Sequence, residues 1–447
     1  MDKERNENIM EKISALIKRR GFIFPGSEIY GGLAGTWDYG PLGVELRNNI
    51  KAAFWRAMVY NREDTVGFDG AIMMAAKVWE GSGHTEAFTD PLVECKICHE
   101  RVRADHHEEI ATHSAVHEKR GEKIIWTEPK RFNLLVEAKV GAIEGEKSTA
   151  YLRGEITQSV HVNFKNILDV THRKLPFGVV QTGRAFRNEI TPSHLTFRSR
   201  EFEQMELQFY VKPDEEEAMR WFEYWKQARM DWYVSLGMNP LHMRTREHES
   251  DERAHYARAA WDIEYESALG WKELEGIHHR GGWDLTRHSE FSAKALTYYD
   301  EDRKEHYIPW VIETSGGVDR AALFFLMDAY REETDAKGTR TYLKLHPRIA
   351  PYKVAVFPLV ANKEQLVARA REIYTDLKKD MMVAWDDRGN IGKRYYAQDE
   401  IGTPYCVTVD YQTLEDGTVT VRNRDTTTQE RIAVAELGSY LCAAITK

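Results

Sequence analysis

QTGRAFRNEITPSHLTFRSREFEQMELQFY, residues 181–210, is the stretch that decides how this chain reads. FGVVQTGRAFRNEI (177–190) and REFEQMELQFYV (200–211) have a strand-like pattern. They flank the loop TPSHLTF with Pro192 inside it, so the segment predicts two antiparallel strands. Arg187 and Glu189 stand two apart, and alternation along a strand would point both to one face. An always-charged, forked guanidinium suits phosphate, and a carboxylate beside it can accept from an amine. Arg198 and Arg200 lie at the turn, within reach of further phosphates, and Phe202 is an aromatic on which a purine can stack. The same charges also suit a plain strand pair with surface ion pairs.

Downstream, IETSGGVDRAALFFL (312–326) leads glycines into Arg320 at the start of an apolar helix read over Ala321–Tyr330. Glycine lets backbone approach a ligand, and a helix N-terminus favours anions, so Arg320 is a second phosphate clamp. A Gly-rich turn with a helix cap is the plainer reading of that segment alone.

Working outward, Ile9, Ile13, Leu16 and Ile17 share a helical face that Gly21 should end. A second helix is expected from Val44 to about Met58. Asp214 and Glu217 have capping-box spacing at the head of a long helix ending near Leu236. From Pro347–Pro351 onward the pattern becomes strands alternating with helices. Strands are read in YKVAVFPLV, VAWDD and twice in PYCVTVDYQTLEDGTVTVRNRD, with a helix over Lys363–Lys379 and a hairpin signal at Asp416–Gly417. The division read is 1–347 and 348–447, with a charged, His-rich insertion at about 95–125 in the first part.

The Arg-x-Glu hairpin followed over a hundred residues later by a Gly-x-Asp-Arg helix start resembles motifs 2 and 3 of class II aminoacyl-tRNA synthetases. Longer stretches narrow the resemblance to the glycyl-tRNA synthetase family: FPGSEIYGGLAGTWDYGPLGVELRNNIKAAFW (24–55), YLRGEITQSVHVNFKN (151–166), FRSREFEQMELQFY (197–210), AHYARA (254–259), ELEGI (273–277) and DEIGTPYCVTVD (399–410). The chain departs from the family's wording at Gly154-Glu155-Ile156, Ser159-Val160-His161, Glu313-Thr314-Ser315 and His278-His279-Arg280.

The resemblance implies an α+β fold: an antiparallel sheet core flanked by helices, a motif 1 dimer interface, and a C-terminal α/β anticodon-binding domain. It implies activation of glycine by ATP with Mg²⁺ to glycyl-adenylate, then transfer to the 3′ end of tRNA(Gly). Arg187 and Arg320 take the catalytic roles. Arg187, Asn188, Glu189, Phe197, Arg198, Phe202, Glu273, Leu274, Gly317, Asp319 and Arg320 are implied for ATP. Arg103, Glu155, Phe202, Glu203, Gln204, Met205, Glu206, Arg280, Glu313, Ser315 and Gly317 are implied for substrate, with the ammonium among Glu155, Glu206 and Glu313. Glycine has no side chain to grip, so its charged ends must be held and larger residues excluded by clash, without an editing domain.

Cys95, Cys98, His113 and His117 have the spacing C-x2-C-x14-H-x3-H of a zinc site; a reduced surface knuckle is the alternative. Cys406 and Cys442 are read as core residues. The 447 residues carry a net charge of −9, which neither requires nor forbids an RNA partner. Four cysteines, a charged start and no long apolar run point to the cytoplasm, with no membrane role. GNIGK at 389–393 is only superficially a P-loop. Two alternatives stay open: a sister class II synthetase for another amino acid, and a non-catalytic synthetase-like protein that binds nucleic acid or regulates.

Overall fold

The computed structural model describes residues 2–105, 107–141, 148–192, 194–249, 257–335 and 338–446. Residues 254–256 of the AHYARA stretch, Ser193 of the 191–197 loop and His106 of the insertion lie outside them.

Helix α1 (Asp2–Arg19) buries Ile13, Leu16 and Ile17, and Gly21 closes it at φ +75°. Helix α2 (Pro41–Trp55) begins three residues before the expected Val44, because Pro41 occupies the first turn where no N–H is missed. It buries Leu46, Ile50 and Phe54 and runs on through a π turn, Arg56–Tyr60.

The large sheet has seven strands: β1 (Thr65–Gly67), β2 (Phe177–Phe186), β3 (Glu201–Val211), β4 (Met243–Glu247), β5 (Ala259–Ser267), β6 (Gly270–Gly281) and β7 (Trp310–Gly317). Their spatial order is β4-β5-β6-β7-β3-β2-β1, antiparallel throughout except for β1 beside β2. Two helices cover one face of the sheet. Helix α3 (Glu215–Ser235) starts where Asp214 Oδ1 accepts from the Glu217 N–H at 2.9 Å, and it packs Phe222 and Trp225 into the core. Helix α4 (Val318–Ala329) follows β7 directly; all its residues except Arg320 are buried, as a helix apolar on every side must be. The opposite face of β6, β7 and β3 carries the polar side chains described below.

The C-terminal sheet contains β8 (Val354–Pro358), β9 (Val383–Trp385), β10 (Tyr405–Val409), β11 (Thr418–Asn423) and β12 (Gln429–Ala433) in the order β9-β8-β10-β11-β12. It carries helices α5 (Glu364–Leu377), α6 (Ile391–Glu400), α7 (Tyr411–Asp416) and α8 (Val434–Thr446). The first three strands are parallel and the last two join antiparallel. The expected hairpin at Asp416–Gly417 is not one. Asp410 and Thr413 form a reciprocal cap that starts α7, and Gly417 (φ +70°) ends that helix. Cys406 is buried as read. Cys442 instead lies exposed on α8, which turns Leu437 and Leu441 inward.

Candidate active site

Strand alternation builds the floor of the site. On β3, Phe202, Gln204 and Glu206 face a cleft, and Gln208, two residues on, donates to Glu313 on the same side. Glu313 and Ser315 of β7 and His278 of β6 complete that floor; Thr157 and Glu155 close it from a separate segment. Gly316 is required by the layer beneath. A Cβ there would stand 2.8 Å from Glu275 Oε2, whose carboxylate is held by Arg229 Nε (2.6 Å) and Tyr233 Oη (2.7 Å) inside the core.

One end of the cleft is cationic. Arg187 donates Nε to the Gly154 carbonyl at 3.0 Å, with its guanidinium 5.0 Å from the Phe88 ring and 5.2 Å from the Phe202 ring. Arg320 lies 4.7 Å from the Phe197 ring and pairs with Glu273 Oε1 at 2.9 Å. Arg198 meets Glu189 Oε2 at 3.4 Å. Arg187 and Glu189 are not two alternating strand residues, as the sequence suggested. β2 ends at Phe186, where the Asn188 N–H turns away to the Leu134 carbonyl (2.8 Å). Arg200 is tied to the carbonyls of Glu189 and Ala34, both at 3.0 Å.

The other end is acidic and buried. Glu313 accepts from Arg280 Nη1 at 3.1 Å through both oxygens, from Gln208 Nε2 at 2.8 Å and from Thr157 Oγ1 at 3.0 Å, and meets His278 Nδ1 at 2.9 Å. Burial opposes its charge, but Arg280 and then His278 hold the carboxyl down at about 2. Glu155 is held by Gln158 Nε2 (3.0 Å) and His84 Nε2 (3.3 Å); against burial, His84 and Arg280 keep it far below the usual carboxylate range. Glu206 accepts from Ser315 Oγ (2.7 Å) and Gln204 Nε2 (2.8 Å), and its Oε2 lies 2.7 Å from Thr157 Oγ1. Burial, with Glu313 and Glu155 nearby, pushes its carboxyl up to about 8.

Of the residues singled out from sequence, Glu155, Arg187, Glu189, Phe197, Arg198, Phe202, Gln204, Glu206, Glu273, Glu313, Ser315, Gly317, Asp319 and Arg320 line this one cleft. Six do not. Glu203 and Met205 sit on the reverse face of β3: Glu203 pairs with Arg47 and Lys51, and Met205 is core. Leu274 is core for the same reason on β6. Asn188 opens onto a neighbouring groove with Arg101, Lys130, Arg131 and Arg200. Arg103 is engaged by Asp90 (2.7 Å) and Asp105. Arg280 stands behind the floor, buried, and meets the cleft lining at Glu313. The sequence reading missed Thr157, Gln208, His278 and His84. The first three were legible from their place in quoted motifs or from alternation; His84, contributed by a distant turn, carried no local signal. Gly154 is where Phe88 and Leu135 pack closest, at 3.0 and 3.1 Å from a Cβ, so the chain is tight there without the family's proline.

In the insertion, the ligand atoms of Cys95, Cys98, His113 and His117 lie within 4.8 Å of one another. His113 and His117 share a face of the helix His107–Glu118, and His117 Nδ1 meets Glu122 Oε2 at 2.5 Å. Two thiols and two imidazoles at this spacing fit a tetrahedral metal, and Glu122 would orient the ligating imidazole.

An antiparallel sheet that carries a cleft with arginine clamps at one end, followed by an α/β domain, is the layout of class II aminoacyl-tRNA synthetases. Residues 353–443 match the family model described as an anticodon binding domain. The glycine–tRNA ligase of Borreliella afzelii is 50% identical over 97% of this chain and 96% of its own length. Those of Geobacillus thermodenitrificans and Thermobifida fusca are 48% and 47% identical, each over 97% of both chains. The chain belongs to the glycine–tRNA ligase family. Among the described residues no helix is long and apolar enough to cross a membrane.

Proposed function

We propose that this cleft activates glycine with ATP and passes the glycyl group to the 3′ end of tRNA(Gly). The observation that carries the reading is the cleft's polarity: three buried glutamates at one end and two aromatic-flanked arginines at the other. The acidic end suits an ammonium. The cationic end suits a triphosphate, with Arg187 on the α-phosphate and Arg198 and Arg320 on the outer phosphates. Glu189 accepts from the adenine amine, and Phe202 offers a face to the ring.

Glycine's carboxylate then attacks the α-phosphorus, a new O–P bond forms, and pyrophosphate leaves with the electrons of the broken bond. The terminal ribose hydroxyl of tRNA next attacks the glycyl carbonyl, its proton passes to the departing phosphate, and AMP leaves with the electrons of the broken C–O bond. Both steps draw on positioning and on fixed cations where negative charge grows, so no side-chain nucleophile is assigned. Glu273, half exposed and paired with Arg320, would hold Mg²⁺, which would neutralise the outer phosphates. The four-ligand cluster of the insertion holds structural zinc, and the protein works as a cytoplasmic homodimer through the α2 region.

The test is acid-precipitable radiolabelled glycine on tRNA after incubation with ATP. Glycine-specific charging supports the reading. Charging with a different amino acid would favour a sister synthetase, and none would favour a non-catalytic relative.

A further inference from the structure

Thr157 has one hydroxyl hydrogen and two carboxylates beside it. Its Oγ1 lies 2.7 Å from Glu206 Oε2 and 3.0 Å from Glu313 Oε2, so with both groups ionised one of these contacts has no hydrogen to share. The basic side chains around the floor contact other groups. Arg280 spans Glu313 and Asp284, His278 meets Glu313, and His84 meets Glu155. Asp284 also faces His161, at 3.7 Å. On the same face as Gln204 and Glu206, over Gly183, Arg153 donates to the carbonyls of Gly70 and Arg184, both at 2.7 Å, and its charge acts on Glu206 from beyond ion-pair distance. Among the described residues no lysine, arginine or histidine nitrogen stands within ion-pair distance of Glu206, and its donors are all neutral: Ser315, Gln204 and Thr157, with Gln208 at 3.4 Å. Glu313 thus has an arginine in contact and Glu155 an imidazole, whereas Glu206 is buried with neither in contact and only the more distant Arg153 to offset its charge.

We infer that the empty site carries a proton on Glu206 and that glycine's ammonium displaces it, so that glycine binding releases about one proton to solvent. The inference rests on the glycine reading above. Before binding, the Glu206 carboxyl O–H donates to Thr157 Oγ1 and the Thr157 hydrogen goes to Glu313 Oε2, which resolves the shortage of donors. On binding, the O–H bond of Glu206 breaks, its electron pair stays on the carboxylate and the proton leaves to water. The ammonium keeps its three N–H bonds and pairs with the new charge. Nothing is oxidised or reduced. The upward displacement of the Glu206 carboxyl by burial and by its acidic neighbours agrees with this, as does the low position of Glu313. Glu206 is therefore the specific reader of the ammonium, while Glu313 and Glu155 shape the wall.

The experiment is calorimetric titration of glycine into the full chain holding α,β-methylene-ATP, at pH 7, in buffers of different ionisation enthalpy. The slope of observed heat against buffer enthalpy counts protons. The expected slope is roughly 0.9 proton released at pH 7, about half a proton near pH 8, and an affinity that tightens roughly tenfold per pH unit between 6 and 7.5. In Glu206→Gln the slope and the pH dependence should both vanish. Glycine that binds to the unsubstituted protein with a buffer-independent heat overturns the inference and leaves the glycine reading standing. A protein that does not bind glycine at all overturns both.

Discussion

Arg187 and Glu206 divide the labour of the site at the residue scale. Arg187 is held by one backbone carbonyl and two rings, and among the described residues no carboxylate is within ion-pair distance of it, so its charge is available to a phosphate. Arg187→Ala should lower glycine-dependent ATP–pyrophosphate exchange by at least about a hundredfold, the scale for losing one aimed donor, while the thermal midpoint stays near its original value. Near-normal exchange in that variant contradicts the role. Glu206 bears on stability with a definite sign. Its folded-state pKa, about 8, stands above the ordinary glutamate value, so its favourable contribution is complete at low pH and is lost as pH rises toward 8. Glu206→Gln cannot ionise, so it should gain on the unsubstituted protein between pH 5 and pH 8 in urea unfolding. A constant difference across that window would contradict the placement. The resemblance identified the cleft-facing half of FEQMEL and also its reverse face. Glu203 and Met205 were drawn in because motif matching does not see which way a strand residue points, although a period of two separates them from Gln204 and Glu206.

Elements hold these residues in register. Arg47 of α2 reaches Glu203 Oε2 (2.6 Å) on β3 and Asp319 Oδ1 (2.9 Å) at the start of α4, and lies 4.1 Å from the Tyr39 ring. Asp319 Oδ2 in turn accepts from the Glu203 N–H at 2.5 Å. One guanidinium therefore ties three elements, and the helix bearing Arg320 is fixed against the strand bearing Phe202. Arg47→Ala leaves Asp319 buried without its arginine, while Glu203 keeps Lys51, and should cost about 3–5 kcal/mol in chemical denaturation; a loss below about 1 kcal/mol would show that the tie is dispensable. The insertion gives a second element-scale test. The purified protein should contain one zinc per chain by elemental analysis, and Cys95→Ser should lose it; a metal-free protein with an unchanged thermal midpoint contradicts the assignment. Periodicity made α2, α3 and α4 legible to within a few residues, and α1 over its buried face from Ile9, although that helix starts at Asp2. The end of β2 was not, because a backbone bond from Asn188 to Leu134, far away in sequence, decides it. The helix α7 was hidden because Asp-Gly is a hairpin signal only when no cap stands six residues upstream, and Asp410 supplies one.

Across the whole molecule the C-terminal domain is clamped to the catalytic body by buried charge. Asp399 accepts from Arg422 (2.8 Å) within its own domain and from Arg340 (2.9 Å) across the junction, and Arg424 Nη2 donates to the Leu345 carbonyl at 2.8 Å. Asn49 of α2 donates to the Ala350 carbonyl at 3.0 Å, so the helix that positions Glu203 and Asp319 also holds the connecting segment. The strands and helices that carry the site and the anticodon-binding domain are thus joined through α2 and the connecting segment. The central claim, a glutamate-lined pocket beside a phosphate clamp that admits glycine, is tested most directly by ATP–pyrophosphate exchange with each of the twenty amino acids offered singly to the full chain. The account predicts exchange with glycine and near-background rates with alanine and serine. Exchange that is faster with any other amino acid, or absent with all of them, would contradict it.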